Sequence, residues 1–109
     1  MLKKLERIVE AIESRKGQEL VILDFEGKNS LCDYAVICTG SSNRNIRAIS
    51  EEVEAELLRL DERRLSVEGQ EDAHWILIDG DDVMIHVLDQ ETRDLYRLEE
   101  LWGDANVVY

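Results

Sequence analysis

The segment HWILIDGDDVMIHVLD, residues 74 to 89, constrains the fold of this chain more than any other stretch. Two apolar runs flank a polar centre, and this arrangement is typical of a β-hairpin. A two-residue turn at residues 80 and 81 predicts the strand register, because the turn length decides which residues lie opposite each other. The predicted pairs are Asp79 with Asp82, Ile78 with Val83, Leu77 with Met84, Ile76 with Ile85, and Trp75 with His86.

Opposed residues of a hairpin share a face, so the composition of each face follows from these pairs. One face is aliphatic and belongs to a core; it carries Ile76, Ile78, Val83, Ile85 and Val87. The other, called the Trp75 face below, carries Trp75, Leu77, Met84, His86 and Leu88, with Asp79 and Asp82 at its end. Trp and Met are enriched at interfaces. The Trp75 face is therefore either covered by one of the protein's own helices or a docking surface for another macromolecule.

The rest of the chain alternates between helical and strand-like apolar patterns. The helices are predicted at residues 2 to 16, from Ser41 or Ser42 to about residue 61, and within residues 91 to 104. The further strands are predicted at residues 19 to 25, 33 to 40 and 64 to 69. In the closing helix, Leu95, Leu98, Leu101 and Trp102 recur at helical spacing. The order αββαβββα predicts a mixed sheet with flanking helices, an α/β (mixed α+β) fold.

Length and composition predict a single domain over residues 1 to 109. A chain of 109 residues that is 44% apolar can bury one core, and it contains no proline and no glycine-rich linker. No segment approaches the roughly 20 apolar residues of a membrane span, and the acidic N-terminus predicts no transit peptide. Cys32 and Cys38 are expected to be buried thiols, as is typical of a cytoplasmic protein.

The charge balance restricts the partners. The chain has 13 basic and 25 acidic residues, a formal net charge of -12. A nucleic-acid backbone is repelled by most of such a surface, so we expect little direct nucleic-acid contact. A basic protein partner is attracted instead. The same charge is also what plain solubility requires.

Two segments have a possible chemical function. Asp79, Asp81 and Asp82 suggest a Mg²⁺-dependent nucleotidyl or phosphoryl transferase, but opposed carboxylates are also typical of a solvated turn, so we expect neither a metal nor a cofactor. The segment TGSSNRNIR, residues 39 to 47, opens a helix and carries two arginines, which suggests an anion site. Ordinary capping by its serines explains the same pattern.

Four motifs together resemble the ribosomal silencing factor (Iojap-related) family: DYAVICTGSS, HWILIDGDDVMIHV, ETRDLYRLEELW and GDA. The resemblance implies a nucleotidyltransferase-like fold without enzymatic activity. In active nucleotidyltransferases, alternating acids closely follow the Gly-Ser turn, whereas here a helix and a strand separate Gly40 and Ser41 from Asp79 and Asp81. The resemblance also implies binding to the large ribosomal subunit through its fourteenth protein, a block of subunit joining, and slower translation when nutrients are scarce.

The same resemblance places the partner contact on the hairpin and on the last helical segment. The implied contact residues are Trp75, Asp79, Asp82, His86, Arg93, Tyr96 and Trp102. Two rival hypotheses remain from the residues themselves: the transferase described above, and a self-associating domain whose Trp75 face pairs with a second copy, giving a homodimer when the protein is free.

Overall fold

Strands and helices alternate along the chain in the computed structural model, which describes residues 2–29, 31–62, 65–101 and 106–108. The elements are α1 (Lys3–Ser14), β1 (Gln18–Asp24), β2 (Tyr34–Thr39), α2 (Asn43–Arg59), β3 (Ser66–Glu68), β4 (Trp75–Asp79), β5 (Val83–Leu88), α3 (Gln90–Tyr96), α4 (Leu98–Leu101) and β6 (Asn106–Val107). The strands form one sheet in the order β3-β4-β5-β2-β1-β6. Only β2 and β5 are parallel, so the predicted mixed sheet is confirmed.

Strand β2 lies at the centre of the sheet, between β1 and β5. Its residues after Tyr34 are all buried, which confirms the prediction that this strand is covered on both faces. Cys38 on this strand and Cys32 before it are both buried thiols, as predicted. Helix α2 follows, and the Ser42 side chain caps it by accepting a hydrogen bond from the backbone N–H of Asn45 at 3.0 Å.

Helices α1 and α2 cover the aliphatic face of the sheet and form the larger core with it. Most of the apolar stripe of each helix is buried there, together with the whole predicted aliphatic face of the hairpin. Burying one such aliphatic side chain is worth about 1.5–3 kcal/mol, so this layer supplies most of the stabilisation. Among the described residues, no helix is both long and apolar enough to cross a membrane.

The hairpin register differs from the prediction. Trp75 pairs with Leu88 rather than with His86, and Ile78 pairs with Ile85 rather than with Val83. The turn has moved along the chain: Gly80 donates its N–H to the carbonyl oxygen of Val83 at 2.9 Å, which leaves Asp81 and Asp82 between the two bonded residues. The register has moved by two residues, and side chains alternate with a period of two, so the residues of β4 and β5 keep their predicted faces.

Lys4 of α1 anchors the hairpin turn to the helical layer. Its ammonium group donates hydrogen bonds to the Gly80 carbonyl oxygen (2.5 Å), to Asp82 (2.5 Å) and to Glu62 (2.8 Å). Burial lowers the pKa of Lys4, but the hydrogen bonds to Asp82 and Glu62 outweigh it, and the pKa is raised overall. These contacts join residues far apart in the sequence, so local patterns do not predict them.

We expect Lys4→Met to lower the free energy of unfolding by about 1–2 kcal/mol, because the Gly80 carbonyl and the Asp82 carboxylate lose a charged donor. Arg7→Met is the matched control, since Arg7 makes only an exposed ion pair with Glu10 at 3.5 Å, worth less than about 0.5 kcal/mol. Urea denaturation followed by circular dichroism measures both. Equal losses in the two variants would show that the anchor has no special role.

The prediction of one continuous closing helix is wrong. The helix breaks into α3 and α4 at Arg97, which adopts a left-handed conformation with φ of 46°. The predicted apolar stripe breaks with it, because Leu98 is buried whereas Leu95 is 73% exposed. Trp102 lies outside the described residues. Part of the chain end joins the sheet, as β6 pairs with Leu23 and Asp24 of β1.

Candidate functional site

The protein's own helices leave part of the Trp75 face uncovered. A smaller core lies on this side of the sheet, and its buried residues include Phe25, Cys32 and Leu98. On strands β4 and β5, however, Trp75, Leu77 and Met84 are only half-buried. The described helices therefore cover these three side chains only in part: Tyr96 of α3 contacts Trp75, and the docking interpretation of this face stays a prediction.

Trp75 is held between two other rings. Its indole Nε1 donates a hydrogen bond to Nδ1 of His86 at 3.1 Å. The ring centroid of Tyr96 lies 5.1 Å from that of Trp75, and the planes are inclined by 51°. A shallow depression of about 250 Å³ adjoins the indole, lined by Trp75, Leu77, Glu68 and Gly69. The indole is therefore fixed in orientation but still reachable, as an anchor for a partner must be.

His86 holds the Trp75 indole from the buried side of the ring cluster. It is only 6% exposed, so little of its surface is accessible to a partner, and its predicted direct contact with a partner stays a prediction. Burial lowers the pKa of His86 to about 4, and the imidazole is neutral at physiological pH. Because Nδ1 accepts the indole proton, the ring proton is on Nε2. His86 is therefore a positioning residue that orients Trp75.

The buried neutral state of His86 predicts a pH dependence of stability. Its pKa is about 4 in the folded protein against 6.5 for the ordinary side chain, so the unfolded chain takes up the proton first. The contribution of His86 to the free energy of unfolding is therefore complete above pH 6.5, and it is lost as the pH falls towards 4. Between pH 6.5 and 5 we expect the free energy of unfolding of wild type to fall by about 2 kcal/mol more than that of His86→Gln. One proton taken up on unfolding changes this free energy by about 1.4 kcal/mol per pH unit.

Urea denaturation at several pH values measures this difference. His74→Gln is the control, since it removes the exposed histidine, which contacts Asp89 at 2.8 Å. We expect the pH dependence to change more in His86→Gln than in this control. An unchanged pH dependence in His86→Gln would contradict the assignment.

Arg93 and Tyr96 lie on α3 and have different roles. Arg93 is 6% exposed and donates a hydrogen bond to the Thr39 hydroxyl oxygen at 2.9 Å, which gives it a structural role, and its predicted contact with a partner stays a prediction. It attaches α3 to the end of β2. Tyr96 is 54% exposed and contacts Trp75, so it is accessible to a partner. Asp89 caps helix α3, since its carboxylate accepts a hydrogen bond from the N–H of Thr92 at 2.8 Å.

The three carboxylates of the turn serve different contacts. Asp79 accepts a hydrogen bond from the N–H of Asp81 at 3.0 Å. Asp82 binds Lys4 of the helical layer, so its predicted place at the end of the Trp75 face is wrong. In the part of the chain that the structure describes, no group of three His, Cys, Asp or Glu residues is arranged to hold a metal ion. Burial raises the pKa of the Cys38 thiol to about 12, which disfavours it as a nucleophile.

Comparison with known proteins identifies the family of the chain. The sequence profile of a family described as "Ribosomal silencing factor during starvation" matches residues 1–109. The chain belongs to the ribosomal silencing factor family. A Ribosomal silencing factor RsfS from Halalkalibacterium halodurans is 38% identical over 106 residues, which cover 95% of this chain and 89% of that protein. A crystal structure of a Chromobacterium violaceum protein has a TM-score of 0.89 at 34% identity, covering 93% of this chain and 84% of that one.

A more distant mouse protein, "Mitochondrial assembly of ribosomal large subunit protein 1", is 25% identical over 101 residues. They cover 90% of this chain and 44% of the mouse protein. Membership of the ribosomal silencing factor family supports a ribosome-associated role in translational silencing and suggests a regulator rather than an enzyme.

Sequence reasoning missed part of the accessible surface of this silencing factor. Leu77 and Met84 lie on the predicted face but were not among the implied contact residues, although their alternation with Trp75 indicates them. Glu68 adjoins Leu77 because β3 pairs with β4, and nothing in so short a strand predicts that pairing. The accessible site thus consists of Trp75, Leu77, Met84, Tyr96, Asp79 and Glu68.

Proposed function

We propose that this silencing factor binds the large ribosomal subunit through its fourteenth, basic protein and thereby blocks the small subunit from joining. The protein acts in the cytoplasm under nutrient limitation, by steric exclusion, and no bond is made or broken. The observation that carries the proposal is the half-buried, aromatic Trp75 face in a member of this family. The name of the mouse relative, which connects that protein with the large subunit, supports the choice of subunit.

Two physical features suit the Trp75 face to a protein partner. The indole of Trp75 is held by His86 and Tyr96 before binding, so little conformational entropy is lost when a partner covers it. The net charge of -12 attracts a basic protein and accelerates the encounter. Without the ribosome, the same face is available to a second copy of the chain, which gives a homodimer.

Subunit reassociation tests the proposal. Purified large and small subunits are mixed with and without the protein, joining is followed by light scattering, and the products are then separated by gradient sedimentation. We expect suppressed joining, with the protein on the large subunit alone. Normal joining with no protein on either subunit would refute the proposal.

Asp79, the carboxylate at the end of the Trp75 face, should affect the rate of association more than the affinity. Asp79→Asn keeps the oxygen that accepts the Asp81 N–H, and it removes one charge. We expect association with the large subunit to slow by about 2-fold to 5-fold at low salt, with little change in dissociation, because rim charges act mainly through steering. Stopped-flow fluorescence measures both rates. Glu51→Gln, the same charge change on the exposed side of α2, should leave them unchanged.

A further inference from the structure

A basic groove lies where α1 ends and α2 begins. It has a volume of about 360 Å³, and its charged lining residues are Arg15, Lys16 and Arg44. No acidic side chain of the described residues lines it. In a chain whose formal net charge is -12, a groove whose charged lining residues are all cations differs from the average charge of the chain.

The two sides of the groove are fixed to each other. Asn45 donates a side-chain hydrogen bond to the Arg15 carbonyl oxygen at 2.9 Å and accepts one from the N–H of Ser41 at 2.9 Å. Acidic side chains of the described residues neutralise these cations only weakly. Arg15 approaches Glu52 only at 4.0 Å, and across the described residues neither Lys16 nor Arg44 forms an ion pair.

The groove lies at the same edge of the sheet as Trp75. Strands β2 and β5 are parallel, so they end together, and the N–H of Gly40 after β2 binds the carbonyl oxygen of Leu88 at 2.9 Å. Leu88 is the residue opposite Trp75. The groove is in the helical layer and the Trp75 face is on the other side of the sheet. A large partner at this edge can therefore touch both.

We propose that this groove binds the phosphate backbone of ribosomal RNA next to the protein that occupies the Trp75 face. The inference rests on the proposed function, since it supplies a second contact on the same subunit. Arginine, lysine and serine groups are the usual donors to backbone phosphates, and such contacts position a protein without reading sequence. The acidic remainder of the surface repels RNA, so this attractive groove also orients the protein on the particle.

The test compares two triple variants with the same change in net charge. The groove variant is Arg15→Gln, Lys16→Gln and Arg44→Gln. The control variant replaces three exposed cations outside the groove: Arg7→Gln, Lys28→Gln and Arg59→Gln. Binding to purified large subunits is measured from about 50 to 200 mM salt, the range over which phosphate contacts are screened. Binding to a short RNA duplex of arbitrary sequence is measured at low salt by fluorescence anisotropy.

We expect the groove variant to bind the subunit about 10-fold more weakly than the control. The slope of log affinity against log salt should become shallower by about 2, since each lost phosphate contact removes roughly 0.9. The duplex should also bind the groove variant more weakly than the control.

Equal salt slopes and equal affinities for the two variants would overturn the inference and leave the proposed function standing. Weaker subunit binding with equal duplex binding would assign the groove to a protein contact and overturn the RNA assignment. If wild type does not bind the subunit, the proposed function fails and overturns the inference that rests on it, whereas loss of the groove effect alone overturns only the inference.

Discussion

Trp75→Ala should weaken binding to the large subunit by about 30-fold or more, equivalent to about 2 kcal/mol. The indole is the largest accessible side chain of the docking site described above, and two neighbouring rings fix its orientation. Its removal takes away the apolar contact with the partner, and it also removes one side of the depression that Trp75 and Leu77 line together. Binding is measured by co-sedimentation with purified large subunits, after circular dichroism has verified that the variant is folded.

Leu58→Ala is the matched control for this substitution. Leu58 is a large apolar residue, 62% exposed, on α2 in the opposite layer of the domain. Its truncation should leave subunit binding unchanged. If Trp75→Ala binds as tightly as this control, the Trp75 face is not the docking surface.

A double-mutant cycle separates the contact role of Trp75 from the positioning role of His86. His86→Gln should weaken binding several-fold in the wild-type background, because the indole loses its fixed orientation. In the Trp75→Ala background the same substitution should have little further effect, since the group it positions is gone. Additive losses would mean that His86 acts on the partner independently of Trp75.

Gly69→Ala should be the most destabilising small substitution near the site. Gly69 has φ of +89°, and a Cβ there would lie 2.2 Å from the backbone oxygen of Trp75. The left-handed conformation and the backbone clash each cost about 1–3 kcal/mol, so we expect the free energy of unfolding to fall by at least 3 kcal/mol. The clash is with backbone, so no side-chain rotation relieves it. Urea denaturation followed by circular dichroism measures the loss.

Gly27→Ala is the control that isolates the steric part of this effect. Gly27 also has a positive φ, +77°, but a Cβ there would meet no atom within 4 Å. Only the conformational cost of about 1 kcal/mol remains. Equal losses for the two alanine variants would show that the chain next to Trp75 shifts without strain. The steric argument would then be wrong.

The hairpin shows how far sequence patterns reach. Its alternation predicts the faces of the β4 and β5 residues correctly, because these faces depend only on a period of two. Its register was wrong by two residues, because the alternation does not specify which residues form the turn. The closing helix fails for a related reason. Helical spacing continues through Arg97, but the left-handed residue there ends the helix and turns Leu98 into the core.

The sequence by itself determined the fold class, the central buried strand, the composition of the Trp75 face and the family. These follow from local periodicity and from motifs that stand in the linear chain. Only the tertiary structure decided which polar residues are accessible: His86 and Arg93 are buried, and Asp82 binds Lys4, 78 positions away. Burial and ion pairing depend on which segments meet in space, and residue type alone does not specify that.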